Sequence, residues 1–272
     1  MAAFDQPTPV VLCFSNHDPT GSSGIQADIE TAASLGCHCA AVITAIAVRD
    51  TRDYKDLACT DATLLIEQAR SVLEDMPVAA IKIGRCGSTA NIEAIHSILT
   101  DYPGIPVVVD PVVQTGELPQ PGSDELYRAI RALLLPLATL SIPGSAEAQA
   151  LAPEADNPGA CAQEILETGC RHVLVGNSPR HGQATGNTLY GDHRAIRHYP
   201  WPNLPVPCHG SGATLAAAIA AYLAHGLGIL DAVEQGQKFT WQSLQQARRL
   251  GMGRYIPDRF HWIGKQRRVP TG

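Results

Sequence analysis

The chain has 272 residues, of which 45% are hydrophobic and 17% charged, a composition that suits one large globular domain or two small ones. A net charge of −6 offers no general affinity for polyanions, which argues against nucleic acid as a partner. The start, MAAFDQPTPV, lacks a basic segment followed by a long apolar run, so neither a signal peptide nor a membrane span is expected and the chain reads as cytoplasmic.

Val10–Ser15 is a short apolar run that reads as a buried strand. The turn NHDPTGSSG follows, then a helix over Gly24–Leu35, with Ser23 and Gln26 at capping-box spacing and Gly36 at its end. Cys37–Ala45 is the next strand. Thr60 and Asp61 open an amphipathic helix carrying Leu64, Leu65, Ala69, Val72 and Leu73 on one face. The alternation continues with a strand at Ala79–Ile83, a helix at Ala90–Leu99 and a strand at Val107–Val109 that ends on Asp110-Pro111. Ser123–Leu135 is expected to be helical, Leu140–Ile142 a strand, Ser145–Leu151 a short helix, Cys161–Thr168 a helix and His172–Val175 a strand. Thr185–Tyr190 and Arg194–Tyr199 pattern as a hairpin around Gly191-Asp192. Helices Ala213–His225 and Leu230–Leu250 close the chain, and the last residues, with Lys265, Arg267 and Arg268, read as a mobile tail.

Strands alternating with helices, the strands nearly continuous in apolar residues, predict an α/β fold: a mostly parallel central sheet with helices on both faces. No linker long enough to divide the chain is present, so residues 1–272 are expected to form a single domain. Ligands of such folds bind beyond the carboxyl ends of the strands. Asp18, Arg49, Arg85, Asp110 and Glu147 follow successive predicted strands and are expected there. Eight cysteines are scattered through apolar runs with no C-x-x-C pair, which reads as reduced, buried thiols.

The stretch Pro207–Gly226, PCHGSGATLAAAIAAYLAHG, carries the most specific local signal. A loop with Gly210 and Gly212 runs directly into a small-residue helix. The first N–H groups of a helix have no partner within it and sit at the positive end of its dipole, where an anion such as phosphate is favoured.

Five stretches then occur in order: His17–Asp28 (HDPTGSSGIQAD), Val42–Ala45 (VITA), Lys82–Gly84 (KIG), Val108–Val112 (VVDPV) and His209–Leu215 (HGSGATL). Together they resemble the hydroxymethylpyrimidine and phosphomethylpyrimidine kinases of thiamine biosynthesis, in the ribokinase-like superfamily. The likeness spans about Val10 to Leu250. It implies a three-layer ribokinase-like fold, transfer of the γ-phosphoryl group of ATP to a pyrimidine hydroxymethyl group or its phosphate ester, dependence on Mg2+, and a homodimer. Carried over residue by residue, it implies an anion hole at Gly210, Ser211, Gly212 and Ala213. A substrate site would include Asn16, Asp28, Arg49, Arg85 and Val112, and a magnesium site would be formed through water by Asp110 and Glu147.

The chain departs from that pattern at chemically important positions. The family has a cysteine, and related sugar kinases an aspartate, where this chain has Ala213, so the usual base is absent. A usual lysine falls on Gly176, an asparagine on Gly144, a glutamine or glutamate on Arg49, a methionine on Arg85 and a glycine on Asn16. Cys208 and His209 are adjacent candidates for a replacement base. Arg49 is expected either to be neutralised by Asp50 and Asp53 or, with Arg85, to select an anionic ligand. Two functions follow: a kinase that is slow or altered in substrate, or a non-catalytic binding or regulatory protein on a kinase fold.

Overall fold

The computed structural model describes residues 7–113, 122–177, 185–201 and 206–263. A nine-stranded sheet runs through them in the order β3-β2-β1-β4-β5-β6-β7-β8-β9. Its strands are β1 (Val10–His17), β2 (His38–Arg49), β3 (Tyr54–Cys59), β4 (Val78–Ile83), β5 (Val107–Val109), β6 (Leu140–Ser141), β7 (His172–Asn177), β8 (Thr185–Gly191) and β9 (Arg194–Trp201). The strands from β2 to β7 pair in parallel, and β3, β8 and β9 add antiparallel edges.

Side chains of a strand alternate between faces, and here the alternation feeds two separate cores. Val10, Leu12 and Phe14 of β1, Val107 and Val109 of β5, and Val173 and Val175 of β7 face one side. There they meet α2 (Ala62–Asp75), α3 (Thr89–Asp101), α4 (Ser123–Ala129), α5 (Ser145–Leu151) and α6 (Pro158–Glu167). Val11, Cys13, Val108 and Leu174 face the other side, under α1 (Gly24–Ser34), α7 (Ser211–Ala224) and α8 (Ile229–Gln245). This is the expected three-layer α/β arrangement. Among the described residues no helix is long and apolar enough to cross a membrane.

Three local expectations are corrected. The strand predicted to stop at Ala45 continues to Arg49 and turns back as β3, which periodicity does not reveal. Strand β3 is a largely exposed edge, and edge strands carry polar residues instead of a buried pattern. The helix expected over Ser123–Leu135 stays α-helical only to Ala129, then widens into a π turn and tightens to a 3-10 turn around Pro136, which has no N–H to continue the ladder. At the start of α1, Ser23 and Gln26 do not form a capping box: both turn to Asp18. The Ser23 hydroxyl donates to Asp18 Oδ2 (2.8 Å), and Gln26 Oε1 accepts from the Asp18 N–H (3.0 Å). The hairpin between β8 and β9 turns through Asp192 and His193 at φ 49° and 56°, the left-handed pair that a two-residue hairpin turn requires. The basic tail residues Lys265, Arg267 and Arg268 lie outside the described residues.

Candidate active site

A cavity of about 420 Å³ opens at the carboxyl ends of β1, β4, β5 and β6, where the loop before α7 approaches them. Gly210, Ser211, Gly212 and Ala213 all line it. Helix α7 begins at Ser211 with Gly210 as its cap residue and no side-chain capping bond, so its first-turn amides are left for a ligand. Gly210 has φ 93°, and a β-carbon there would sit 1.7 Å from the Ser22 carbonyl oxygen. Only glycine allows this loop to lie against the turn that follows β1.

Two carboxylates face the loop. Asp110 follows β5 and is 5% exposed; a β-carbon on Gly212 would lie 3.7 and 3.9 Å from its two carboxylate oxygens. Burial raises the Asp110 pKa to about 7, and the charges of Glu147 and Asp28 add to the rise while Lys82 opposes it. Glu147, in the first turn of α5, is likewise raised by burial, against the backbone N–H groups of Glu147 and Gly144 that hold its charged form. Two crowded acids lining one cavity are suited to a divalent cation. Among the described residues no cluster of three or more His, Cys, Asp or Glu side chains is placed to hold a metal. A pair fits magnesium in particular, which takes one or two carboxylates and fills its shell with water and phosphate.

Toward β1 and β4 the wall is Ser15, Asn16, Lys82, Gly84 and Arg85, with Val112 alongside. Asp28 is not part of that surface. It is fully buried on α1, where its Oδ2 accepts from Ser15 Oγ (2.5 Å) and Lys82 Nζ (3.1 Å), and Nζ lies 3.0 Å from Oδ1. Its carboxylate anchors Ser15 and Lys82, and those two present the wall in front of it. Arg85 does line the cavity, 6% exposed, with its guanidinium 4.6 Å from the centre of the Tyr54 ring.

Arg49 is matched by Asp18, not by Asp50 or Asp53, among the ion pairs of the described residues. Asp50 pairs with Lys55 at 2.9 Å and closes the β2–β3 turn on the Arg52 and Asp53 amides, so it does not neutralise Arg49. Arg49 instead reaches Asp18 at 3.6 Å and His209 Nε2 at 2.5 Å, outside the cavity surface. A guanidinium has no acceptor, so Nε2 must be the unprotonated nitrogen and Nδ1 carries the hydrogen. Burial, then the Arg49 charge, brings the His209 pKa down to about 4. His209 thus has the nitrogen nearest Arg49 occupied and its charged form disfavoured, both of which weigh against it as a replacement base. Cys208 is no better placed, because burial raises its thiol above the ordinary value.

The segment after α8 closes the remaining side. Gly253 and Arg254 donate their backbone N–H groups to Thr51 Oγ1 (3.0 Å) and Thr51 O (3.1 Å). Tyr255 N–H bonds to Pro207 O (2.9 Å), and Tyr255 O accepts from His209 N–H (2.9 Å). Arg259, 1% exposed, pins this strap: it donates to Thr214 Oγ1 (2.9 Å), Gly21 O (3.0 Å), Ser22 O (2.6 Å) and Glu30 (2.9 Å). Neither pattern nor resemblance assigns a role to Lys82, Arg254 or Arg259. Lys82 is the first residue of the KIG motif, whereas the two arginines sit in a polar C-terminal run with no local periodicity to mark them as site residues.

A family model described as Phosphomethylpyrimidine kinase matches residues 18–258. The chain belongs to the phosphomethylpyrimidine kinase family. Its relatives include the hydroxymethylpyrimidine/phosphomethylpyrimidine kinase of Rhizobium meliloti, 34% identical over 266 residues, covering 93% of this chain and 98% of that one. The chloroplastic thiamine biosynthetic bifunctional enzyme TH1 of Arabidopsis thaliana is 30% identical over 263 residues, which are 94% of this chain but only 50% of the plant enzyme. Among solved structures, phosphomethylpyrimidine kinase from Clostridium difficile aligns with TM-score 0.73 and 28% identity, covering 86% of this chain and 98% of that one. An ADP complex of Bacillus subtilis pyridoxal kinase aligns with TM-score 0.86 at 22% identity, covering 94% and 99%, which shows the shared fold. In this chain Ala213 lines the cavity at the Gly210–Ala213 loop and Gly144 lines it with Glu147, while Gly176 is paired by a backbone bridge to Gly144 and lies off the cavity surface.

Proposed function

We propose that this chain transfers the γ-phosphoryl group of ATP to a hydroxymethylpyrimidine or its phosphate ester. The reading is carried by one observation: the amide-rich loop Gly210–Ala213 and the Asp110–Glu147 pair line a single cavity, with Gly212 close to the Asp110 oxygens. Loop amides would hold the transferring phosphoryl group, and preorganised backbone donors of this kind survive any side-chain change at Ala213. Asp110 and Glu147 would hold magnesium through water; when bound, that ion neutralises charge on the phosphate oxygens. Ser15, Lys82 and Val112 would frame the acceptor, with Asp28 fixing Ser15 and Lys82 from behind. The test is ADP formation from ATP and magnesium with hydroxymethylpyrimidine and with its phosphate ester. No turnover above background with either would overturn the reading.

A second reading, a non-catalytic binding protein, is favoured by one feature. Ala213 provides no base and Arg49 occupies the accepting nitrogen of His209, so the loop offers no proton acceptor from either residue. It predicts a ligand-induced rise in melting temperature without phosphoryl transfer.

A further inference from the structure

The His209–Gly212 loop stands among three guanidinium groups, and their charges are not equally available. Arg49 faces Asp18 at 3.6 Å and Arg259 is paired with Glu30 at 2.9 Å. Arg254 lines the cavity with His209, Gly210, Ser211 and Gly212, is exposed at its rim, and takes part in no ion pair among the described residues. Its backbone is fixed on both sides: its own N–H bonds to Thr51 O (3.1 Å), and the next residue, Tyr255, bonds to Pro207 O and accepts from His209 N–H (2.9 Å each). The approach on one side is close enough that a β-carbon on Gly253 would stand 2.0 Å from Thr51 O, so a side chain at the preceding residue would push the strap, and Arg254 with it, off the turn. The backbone that carries this guanidinium is therefore fixed beside the anion loop.

We propose that Arg254 binds the terminal phosphate oxygens of the nucleotide seated on the Gly210–Ala213 amides, supplying the positive charge that a lysine at residue 176 would bring in the family's pattern. The inference rests on the kinase reading of the same cavity. A planar fork can take two oxygens of one phosphoryl group at once, which suits a group that must be oriented as well as neutralised. Arg254 is a binding and positioning residue in this assignment; it moves no proton.

The test is titration of the intact chain and of Arg254→Met and Arg254→Lys with ATP, ADP and AMP, magnesium present, and with the phosphate ester of hydroxymethylpyrimidine. Because the backbone bonds of residue 254 do not involve its side chain, both variants are expected to melt with the unmodified chain in the absence of ligand. Arg254→Met should weaken ATP by about 10- to 100-fold and leave AMP unchanged, the size of one charged hydrogen-bonded contact. Arg254→Lys should recover part of the loss. Discrimination between ATP and AMP is the readout that a merely structural role would not move. Equal ATP affinity in the unmodified chain and Arg254→Met would overturn this inference alone. Loss of affinity for the pyrimidine ester with ATP unaffected would overturn it in favour of an acceptor contact. Failure of the unmodified chain to bind any nucleotide would overturn both this inference and the kinase reading.

Discussion

The Asp28–Lys82 pair offers the sharpest check on how the cavity wall is built. Lys82 is 1% exposed and Asp28 fully buried, with Nζ 3.0 and 3.1 Å from the two carboxylate oxygens and Ser15 Oγ at 2.5 Å completing the triangle. Burial pushes the Lys82 pKa down, but the charges of Asp28 and Asp110 outweigh it and hold the ammonium above its ordinary value. Asp28→Asn leaves that ammonium buried without its nearest counter-charge. Lys82→Met leaves Asp28 buried and lets Asp110 and Glu147 repel without relief. Breaking a buried pair by removing one partner costs about 3–5 kcal/mol, whereas replacing both with uncharged groups of similar volume is often nearly neutral. Each single variant should therefore lose about 3–5 kcal/mol in urea unfolding, and the double variant Asp28→Asn/Lys82→Met should lose clearly less than their sum, a coupling of about 2 kcal/mol or more. Additive losses would refute the pairing. Single variants with unchanged stability and weakened acceptor binding would return Asp28 to direct ligand contact.

Three further outcomes are expected. Because the His209 pKa is depressed to about 4 from 6.5, the unfolded chain takes up the proton first as pH falls, so stability declines between pH 6.5 and 4 and levels below, by up to about 3 kcal/mol. Melting His209→Gln across that range should show a shallower slope than the unmodified chain, and parallel slopes would refute the assignment. Ala213→Cys should raise phosphoryl transfer by up to about 10²–10⁴-fold if the base alone limits the rate, read as single-turnover ADP formation. Gly210→Ala should lower the melting temperature and abolish nucleotide binding, since left-handed backbone costs a non-glycine residue about 1–2 kcal/mol and the added methyl overlaps Ser22 O.

Layer architecture was legible because it follows from local pattern. Val10–Phe14 and Val107–Val109 are apolar at every position, and such runs belong in the middle of a covered sheet. Strand β3 was not legible, since YKDLAC has neither a buried face nor alternation and is defined only by its partner β2. Within the site, Gly210–Ala213, Asp110, Glu147, Asn16, Arg85 and Val112 meet at one cavity; the strand pattern implies this for Arg85, Asp110 and Glu147, and the resemblance for the others. Asp28 and Arg49 are marked by the sequence, but their protein partners are not. Which side of a wall a side chain occupies depends on residues distant in sequence, here Lys82 for Asp28 and His209 for Arg49. Arg254 and Arg259 are further examples: their partners lie some two hundred residues earlier, in the turns after β1 and β2.

Loss of the base and loss of the lysine are not equivalent, and the difference bears on which function survives. In a loose phosphoryl-transfer transition state little charge has yet built up on the attacking oxygen, so proton removal contributes less than neutralising the phosphate oxygens. The features that would hold an anion here are backbone amides, a loop locked by Gly210 against Ser22, and a strap pinned by Arg259, none of which involves the side chain at 213. Substitution at Ala213 therefore acts on turnover and leaves affinity intact. A missing charge clamp would act on both, because it weakens the bound nucleotide and its transition state alike. Arg254 thus bears on how much catalytic electrostatics the cavity retains: if it grips the terminal phosphate, the larger share is kept and slow turnover follows even without a base, and if it does not, the loop amides and the two carboxylates carry that stabilisation alone.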